Sequence, residues 1–336
     1  MTARSPLFTD IDFDRNGKQI SFLNLPFSPH SDAWGVIPIP IACIRNGSGP
    51  TVLLMGGNHG DEYEGPIVLG RLLRDLDPAQ VQGRLIFVPA INLPAVVAGR
   101  RTSPVDDRNF NRAFPGDPEG TPTQQIAHYV ESVLMPMADV FIDLHSGGSS
   151  LNIVPSCLIE RSDNPGLHAR VQELALAFDA PLTVVMDTLG ETRTAAAAAV
   201  RRGLVSIGSE LGSAGAVSLE ALEVGARGVH NVLYRLGVLQ PPGHWEPAPP
   251  RTRLMEIAGT ESYVYAPANG IWEPYHALWT EVEAGQPAGA LNFLDDPGRA
   301  PLEAAYRGSG LLYARRAPGL SIRGNCVAVL LNDYKS

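Results

Sequence analysis

The pair His59 and Glu62, set in the run Gly56-Gly57-Asn58-His59-Gly60-Asp61-Glu62, has the residue types and spacing to hold a metal ion. An imidazole and a carboxylate three residues apart, where an apolar strand breaks into a glycine-rich turn, close on one ion from a single corner of chain. The segment Val140-Phe141-Ile142-Asp143-Leu144-His145-Ser146-Gly147-Gly148 repeats the design: a strand of buried type, a histidine, then small residues that let the backbone turn. Together His59, Glu62 and His145 make a His/Glu/His set. It leaves one tetrahedral position for water or substrate, as a catalytic Zn2+ site with one ion per subunit requires. The His-x-x-Glu spacing alone has little specificity, and the combination carries the argument.

A further acid, Glu210, follows the short apolar run Val205-Ser206-Ile207-Gly208-Ser209 and so stands at the end of a strand, where side chains from separate loops of an α/β sheet converge. The stretch from Arg100 to Gly116 is rich in donors: Arg101, Arg108, Asn109, Asn111 and Arg112 have no place in a hydrophobic core. Arginine grips carboxylates through a planar fork and stays charged, so this cluster in an acidic chain points to a small anionic substrate. Asp143, two residues before His145, is of a type that orients an imagined ligand imidazole or sits as a structural aspartate. The remaining histidines, His30, His128, His168, His230, His244 and His276, lack the strand and glycine-turn context and read as ordinary core or surface residues.

These residues must be positioned by the chain around them. At 336 residues and 44% hydrophobic, the protein can bury a full core. A formal net charge of -9 and a pI near 5.4 argue against nucleic-acid or anionic-membrane binding, which needs a basic surface. Cys43, Cys157 and Cys326 are odd in number and far apart, which excludes a disulfide framework or thiolate cluster. With no secretory apolar segment and no membrane-length apolar run, a cytoplasmic protein is expected. A homo-oligomer is expected too, on the general frequency of symmetric assemblies.

Short β-rich runs alternate with helical patterns from about Ile37 to Leu239, the form of a layered α/β domain. Strands are expected over Ile37 to Ile44, Val52 to Met55, Leu85 to Val88, Val140 to Leu144, Leu182 to Met186 and Leu204 to Ile207. Helical spacing joins Ile67, Leu72, Leu73 and Leu76; then Ile126, Tyr129, Val130, Val133 and Leu134 behind Thr121-Pro122; then Leu167, Val171, Leu174 and Phe178. A longer helix over Ser218 to Leu236 ends at Gly237, and the proline-rich stretch Gln240 to Pro250 reads as a linker. The division is therefore 1–245 for a catalytic domain and 246–336 for a β-rich C-terminal domain. Its turns, with Ala266-Pro267-Ala268-Asn269-Gly270 and Glu283-Ala284-Gly285-Gln286-Pro287, resemble the barrel-sandwich fold of lipoyl and biotinyl carriers. The resemblance is structural only, because the chain's two lysines, Lys18 and Lys335, offer no attachment point on a central turn.

With these segments in view, the chain resembles the succinylglutamate desuccinylase and aspartoacylase family, amidohydrolases related to the zinc carboxypeptidases. The match spans nearly the whole length and rests on Gly57-Asn58-His59-Gly60-Asp61-Glu62, Asn111-Arg112-Ala113-Phe114-Pro115-Gly116, Asp143-Leu144-His145-Ser146-Gly147 and Ser209-Glu210-Leu211-Gly212. It implies a three-layer mixed-sheet zinc-peptidase-like domain, zinc on His59, Glu62 and His145, and Glu210 as general base and acid. It also implies Arg101 as oxyanion donor, and Asn111 with Arg112 as the clamp on a substrate carboxylate. One departure is evident: family members commonly carry Asp-Leu-Asn-Arg where this chain has Asn109-Phe110-Asn111-Arg112. Within the family, the stretch from Ser103 to Arg112 is most similar to deacetylases of N-alpha-acetyl-L-2,4-diaminobutyrate in ectoine degradation. The implied reaction is zinc-assisted removal of an acyl group from a small anionic N-acyl amino acid. Rival readings are a succinylglutamate desuccinylase or aspartoacylase-like deacylase, a zinc carboxypeptidase, and a non-catalytic protein that binds the metal. A serine hydrolase is disfavoured, since no Gly-x-Ser-x-Gly elbow occurs, and phosphate-binding loops are absent.

Overall fold

The runs Val52-Leu53-Leu54-Met55 and Val140-Phe141-Ile142 are apolar at every position, and such strands are stable only when both faces of their sheet are covered. In the computed structural model, which describes residues 5–186, 190–212, 214–241 and 250–335, Thr51–Gly56 and Val140–His145 lie side by side and parallel, buried throughout. Alternation divides their side chains. Val52, Leu54, Val140, Ile142 and Leu144 enter one core, while Leu53, Met55 and Phe141 enter the other. Helices Glu64–Asp75, Pro165–Phe178 and Leu219–Arg235 cover the first face. Pro122–Tyr129 and Ala195–Arg201 cover the second.

Among the described residues most strands form one mixed sheet of 14. Its centre is a parallel block of Gly83–Val88, Thr51–Gly56, Val140–His145 and Val205–Glu210. On one side Val36–Asn46 and then Gly17–Pro26 add antiparallel. On the other, Ser156–Glu160 runs antiparallel to Val205–Glu210 and is followed by Leu182–Met186 and Arg253–Glu256. Residues after 250 are β-structured, as their spacing of turns implies. Leu302–Ala305, Pro287–Asn292, Gly270–Pro274 and Leu320–Ser321 make a second, four-stranded antiparallel sheet. Their neighbours rejoin the main sheet, with Arg253–Glu256 parallel to Leu182–Met186 and Gly310–Arg316 pairing Leu151–Ile153. The expected boundary near 245, most of the linker and His244 lie outside the described residues.

The expected strands recur with small extensions, and the helices start where their caps stand. Ser218 accepts from the amide of Ala221, and the Thr121 amide donates to the Gln124 side chain at 3.1 Å ahead of Pro122. Several elements have no counterpart among the expected ones, Leu93–Ala98, Leu151–Ile153 and Ser156–Glu160 among them, and two are instructive. Gly17–Pro26 pairs along its full length with Val36–Asn46. The run Ala195–Arg201 has high helix propensity but no polar face to give it a period, so it escapes a search for apolar periodicity. The expected strand Leu204 to Ile207 runs instead as Val205–Glu210, because its pairing with Val140–His145 continues to the last residue of both.

Close approach of backbone to backbone fixes where the metal-type turn can sit. A Cβ on Gly60 would lie 1.9 Å from the Ala95 carbonyl carbon, and the Gly60 amide donates to Arg100 O at 2.9 Å. The turn holding His59 and Glu62 is thus pressed onto the short helix Leu93–Ala98 that leads into the arginine-rich loop. Gly60→Ala is expected to cost at least ~3 kcal/mol through this clash and to lower the melting temperature by more than about 5 °C. Gly208→Ala, whose new methyl would meet nothing nearer than 3.6 Å, is the matched control and should leave thermal unfolding within about 2 °C of wild type.

Candidate active site

Strand register brings the candidate residues into one row. His145 is the register partner of Glu210 on the adjacent parallel strand, and Asp143 is the partner of Gly208. Residues two apart share a face, so Asp143 and His145 stand beside Gly208 and Glu210 on the side covered by Ala195–Arg201. The turn after Met55 delivers His59 and Glu62 to the same sheet end, since Met55 and Gly56 pair with Asp143 and Leu144. Cross-links then tie the turns together. The Gly147 amide donates to Gly212 O at 2.7 Å, Leu211 N to His145 O at 2.9 Å, and the Ser149 amide and hydroxyl both donate to Asp61 Oδ2. Gly148, at φ +54, makes the left-handed step that lets this turn pass over Asp61.

His59, Glu62 and His145 are all buried, and one ligand atom from each lies within 4.8 Å of the others. His59 Nδ1 is 2.7 Å from Glu62 Oε1, and His145 Nδ1 is 2.8 Å from Glu62 Oε2. The opposite ring nitrogens also face oxygens: His59 Nε2 is 3.1 Å from Asn109 Oδ1, and His145 Nε2 is 2.9 Å from Asp143 Oδ2. Asn109 and Asp143 can only accept through these atoms, so each ring holds its proton on Nε2 when donating outward. Both Nδ1 lone pairs then point at one carboxylate. Two lone pairs and an anion crowded into a buried corner repel unless a cation stands among them, and this donor set fits a divalent ion.

The same crowding shifts the protonation of these groups. Burial alone would raise Glu62, yet its attraction to both imidazoles holds its carboxyl far below the usual carboxylate range. Burial pulls His59 down, whereas for His145 the charges of Asp143 and Glu62 outweigh burial and push it well up. Glu210 is driven well above its ordinary value by burial and then by the Glu62 charge. Its Oε2 is buried without a hydrogen-bond partner, so one oxygen is unspent on the protein.

The donor-rich loop is planted by buried aromatic rings and by Asp106, which accepts from the Thr123 amide and hydroxyl at 2.9 and 2.7 Å. Phe110 and Phe114 are buried and meet edge to face at 5.2 Å, which leaves the residues between and before them at the cavity. Arg101 is half-exposed and reaches inward, with Nη1 3.4 Å from His59 Nδ1 and 3.7 Å from Glu62 Oε1. Asn111 Oδ1 accepts from the Ala195 amide at 2.9 Å, and Arg112 Nε is 3.2 Å from Glu191 Oε2. A cavity of about 320 Å³ is lined by His59, Glu62, Arg101, Asn111, Arg112, His145 and Glu210, so every candidate residue borders one space.

The sequence marks Asn109 only as a loop donor, and it does not single out three further contributors, Asn58, Glu191 and Glu160. Asn109 holds His59, where the usual aspartate of the family pattern is replaced by an amide. Asn58 donates to Asp143 Oδ2 at 3.2 Å, Glu191 engages Arg112, and Glu160 lines the cavity wall. Asn58 adjoins the ligand run and Asn109 sits in the motif that departs from the family pattern, which are usable signals. Glu160 closes an unremarkable strand and offers none.

Comparison with known proteins extends the likeness over the whole chain. A model of the succinylglutamate desuccinylase/aspartoacylase catalytic domain matches residues 48–236. The N-alpha-acetyl-L-2,4-diaminobutyric acid deacetylase of Halomonas elongata is 39% identical over 332 residues, covering 99% of this chain and 96% of that protein. A succinylglutamate desuccinylase/aspartoacylase from Rhodobacter sphaeroides has 44% identity and a TM-score of 0.92 over 98% of this chain and 100% of its own. The product-bound ectoine utilization protein EutE (DoeB) from Ruegeria pomeroyi has 37% identity and a TM-score of 0.94, over 98% of this chain and 99% of its own.

The anchoring oxygens are expected to matter for the ion and not only for the fold. Asp143→Ala and Asn109→Ala should each weaken divalent-cation affinity by about 10–100-fold in a chelator competition assay. Unchanged affinity in both would mean that the two rings are oriented by packing alone.

Proposed function

Because the chain belongs to the succinylglutamate desuccinylase/aspartoacylase family, we propose that it is a zinc-dependent amidohydrolase that converts N-alpha-acetyl-L-2,4-diaminobutyrate to acetate and L-2,4-diaminobutyrate. The observation that carries the reading is the sharing of one cavity by the cation-type donor set, the buried Glu210 carboxylate and the Arg112 guanidinium. The substrate assignment rests on the similarity to the Halomonas elongata deacetylase and to the ectoine utilization protein. Helices on both faces of the mixed sheet support a three-layer, zinc-peptidase-like core. Among the described residues no helix is long and apolar enough to cross a membrane.

An ion held by His59, Glu62 and His145 would supply Lewis acidity, polarising the acyl carbonyl and lowering the pKa of the attacking water toward ~7. The protein's own groups do the rest. Glu210 accepts a proton from the water as its oxygen bonds to the acyl carbon. Arg101 donates to the carbonyl oxygen as charge builds there, an interaction worth roughly 3 kcal/mol when a single donor is removed. The amide C–N bond then breaks, and Glu210 returns its proton to the departing amine. A carboxyl that burial has pushed upward is suited to both halves, since it takes a proton readily and keeps it long enough to hand on. Arg112, steadied by Glu191 and with Asn111 alongside, would turn the substrate carboxylate away from the reacting centre and fix the amide in place.

Glu210→Gln should retain its zinc while kcat on N-alpha-acetyl-L-2,4-diaminobutyrate falls by about 10²–10⁴-fold, measured by acetate release beside metal analysis. Full activity in that variant would remove Glu210 from the reaction. Stripping the wild type with a chelator should abolish hydrolysis and added zinc should restore it. Zinc bound stoichiometrically with no hydrolysis of any N-acyl amino acid would instead favour a binding protein.

A further inference from the structure

Five carboxylates border the cavity: Glu62, Asp143, Glu160, Glu191 and Glu210. Four are already engaged. Glu62 and Asp143 face the two imidazoles, Glu210 stands at the reacting centre, and Glu191 pairs with Arg112 at 3.2 Å and Arg193 at 2.8 Å. Glu160 differs. Among the described residues no lysine, arginine or histidine lies within ion-pair distance of it, and its side-chain partner is Thr194. The nearest cation to influence it, Arg201, is committed to Glu131 at 2.8 Å. We propose that Glu160 is a specificity-determining residue that receives the terminal ammonium of the substrate's side chain, so that the enzyme selects N-alpha-acyl amino acids with a short amine-bearing side chain. This inference rests on the deacylase reading above.

Three features of the cavity support it. First, Glu160 is tied to the substrate clamp. Thr194 bonds Glu160, while the next residue, Ala195, gives its amide to Asn111 Oδ1 at 2.9 Å, so the two side chains engage positions only about 3.8 Å apart along the chain. A substrate held by its carboxylate at Asn111 and Arg112 would extend a short side chain toward this same Thr194–Ala195 step, which suits the close spacing of carboxylate and terminal amine in L-2,4-diaminobutyrate. Second, Glu210 and Glu160 border the same cavity. Leu158 lies opposite Gly208 on the adjacent strand, with Glu160 two residues further on the same face, and Gly208 and Ser206 put no bulk along that face. Third, the remaining wall near Glu160 is uncharged, with Leu158, Met186, Ala196 and Val200 apolar and Ser162, Thr194 and Ser206 neutral. A buried ammonium would find no other anion free to meet it there, and a buried charge is tolerated only when paired. Burial pushes the Glu160 carboxyl up to about 7, against the Thr194 hydrogen bond and the Arg201 charge, which describes an acid that lacks its counter-ion.

The experiment compares two substrates on the zinc-loaded enzyme: N-alpha-acetyl-L-2,4-diaminobutyrate, and N-alpha-acetyl-L-norvaline, which carries a methyl in place of the amine. Wild type should favour the first by roughly 100-fold or more in kcat/KM, because a site built to meet a charge rejects the analogue that lacks it. Glu160→Gln, which keeps the side-chain shape, should lose about 100-fold on the amine substrate, mainly through KM, and change by less than about threefold on norvaline. Equal use of both substrates by wild type overturns the proposal without any variant. So does a Glu160→Gln enzyme that keeps the wild-type ratio while hydrolysing the amine substrate, and in that case the deacylase reading stands. If wild type hydrolyses neither compound nor any other N-acyl amino acid, the deacylase reading itself falls and this inference with it.

Discussion

One carboxylate shared by two imidazoles is the constraint around which this protein is organised. Glu62 gives one oxygen to each Nδ1, in a corner closed to solvent, where unpaired charge costs several kcal/mol. That corner is tolerable only with its outer contacts in place, and each has a holder on a different segment. Asn109 comes from the donor-rich loop and Asp143 from the strand that ends in His145. The Ser146 amide, donating to Glu62 Oε2 at 3.1 Å, comes from the turn beyond it. Loosening any one segment would disturb the other two through the same carboxylate.

The sheet explains how segments so distant in sequence reach one point. Parallel strands end together at the same edge, and their register here is continuous from Met55 and Asp143 to Gly208, and from His145 to Glu210. The metal-type ligands and Glu210 are therefore neighbours by backbone pairing, before any side chain is considered. Glycine makes the approach possible at Gly60, and the buried rings of Phe110 and Phe114 hold an otherwise polar loop against the sheet. Rigidity in the strands and anchoring in the loop both serve the sub-ångström placement that amide hydrolysis asks of its groups.

Charge is laid out around the cavity in a sequence that mirrors a zwitterionic amino acid. Arg112 brings a positive group, and Glu210 lies beside the His/Glu/His corner. Glu160 is a negative group beyond the clamp, with no cation of its own among the described residues. Such a layout recognises a ligand by the separation of its charges as much as by its size, and it rejects wrong ligands by leaving a buried charge unmet. Glu191, between Arg112 and Arg193, keeps the clamp from presenting bare positive charge when no substrate is bound.

Much of this was legible in the residues alone. Two histidines and a glutamate, each at an apolar strand followed by glycine, are a pattern that core packing does not produce. The cap residues Thr121 and Ser218 and the apolar stripes likewise located their helices within a few positions. What residue order could not supply was everything decided by pairing between distant segments. The polyalanine helix Ala195–Arg201 has no period of its own and is defined by the sheet face it covers, and the full extent of Val205–Glu210 follows from its neighbour's register. Asn109 became the acceptor for His59, and Glu160 an unmatched acid in a shared cavity, only once the chain had closed around them. Local chemistry is written in short spacings because neighbours along the chain must be neighbours in space. A charge's partner, or its lack of one, is settled by the fold, because burial and proximity are properties of the whole packed molecule.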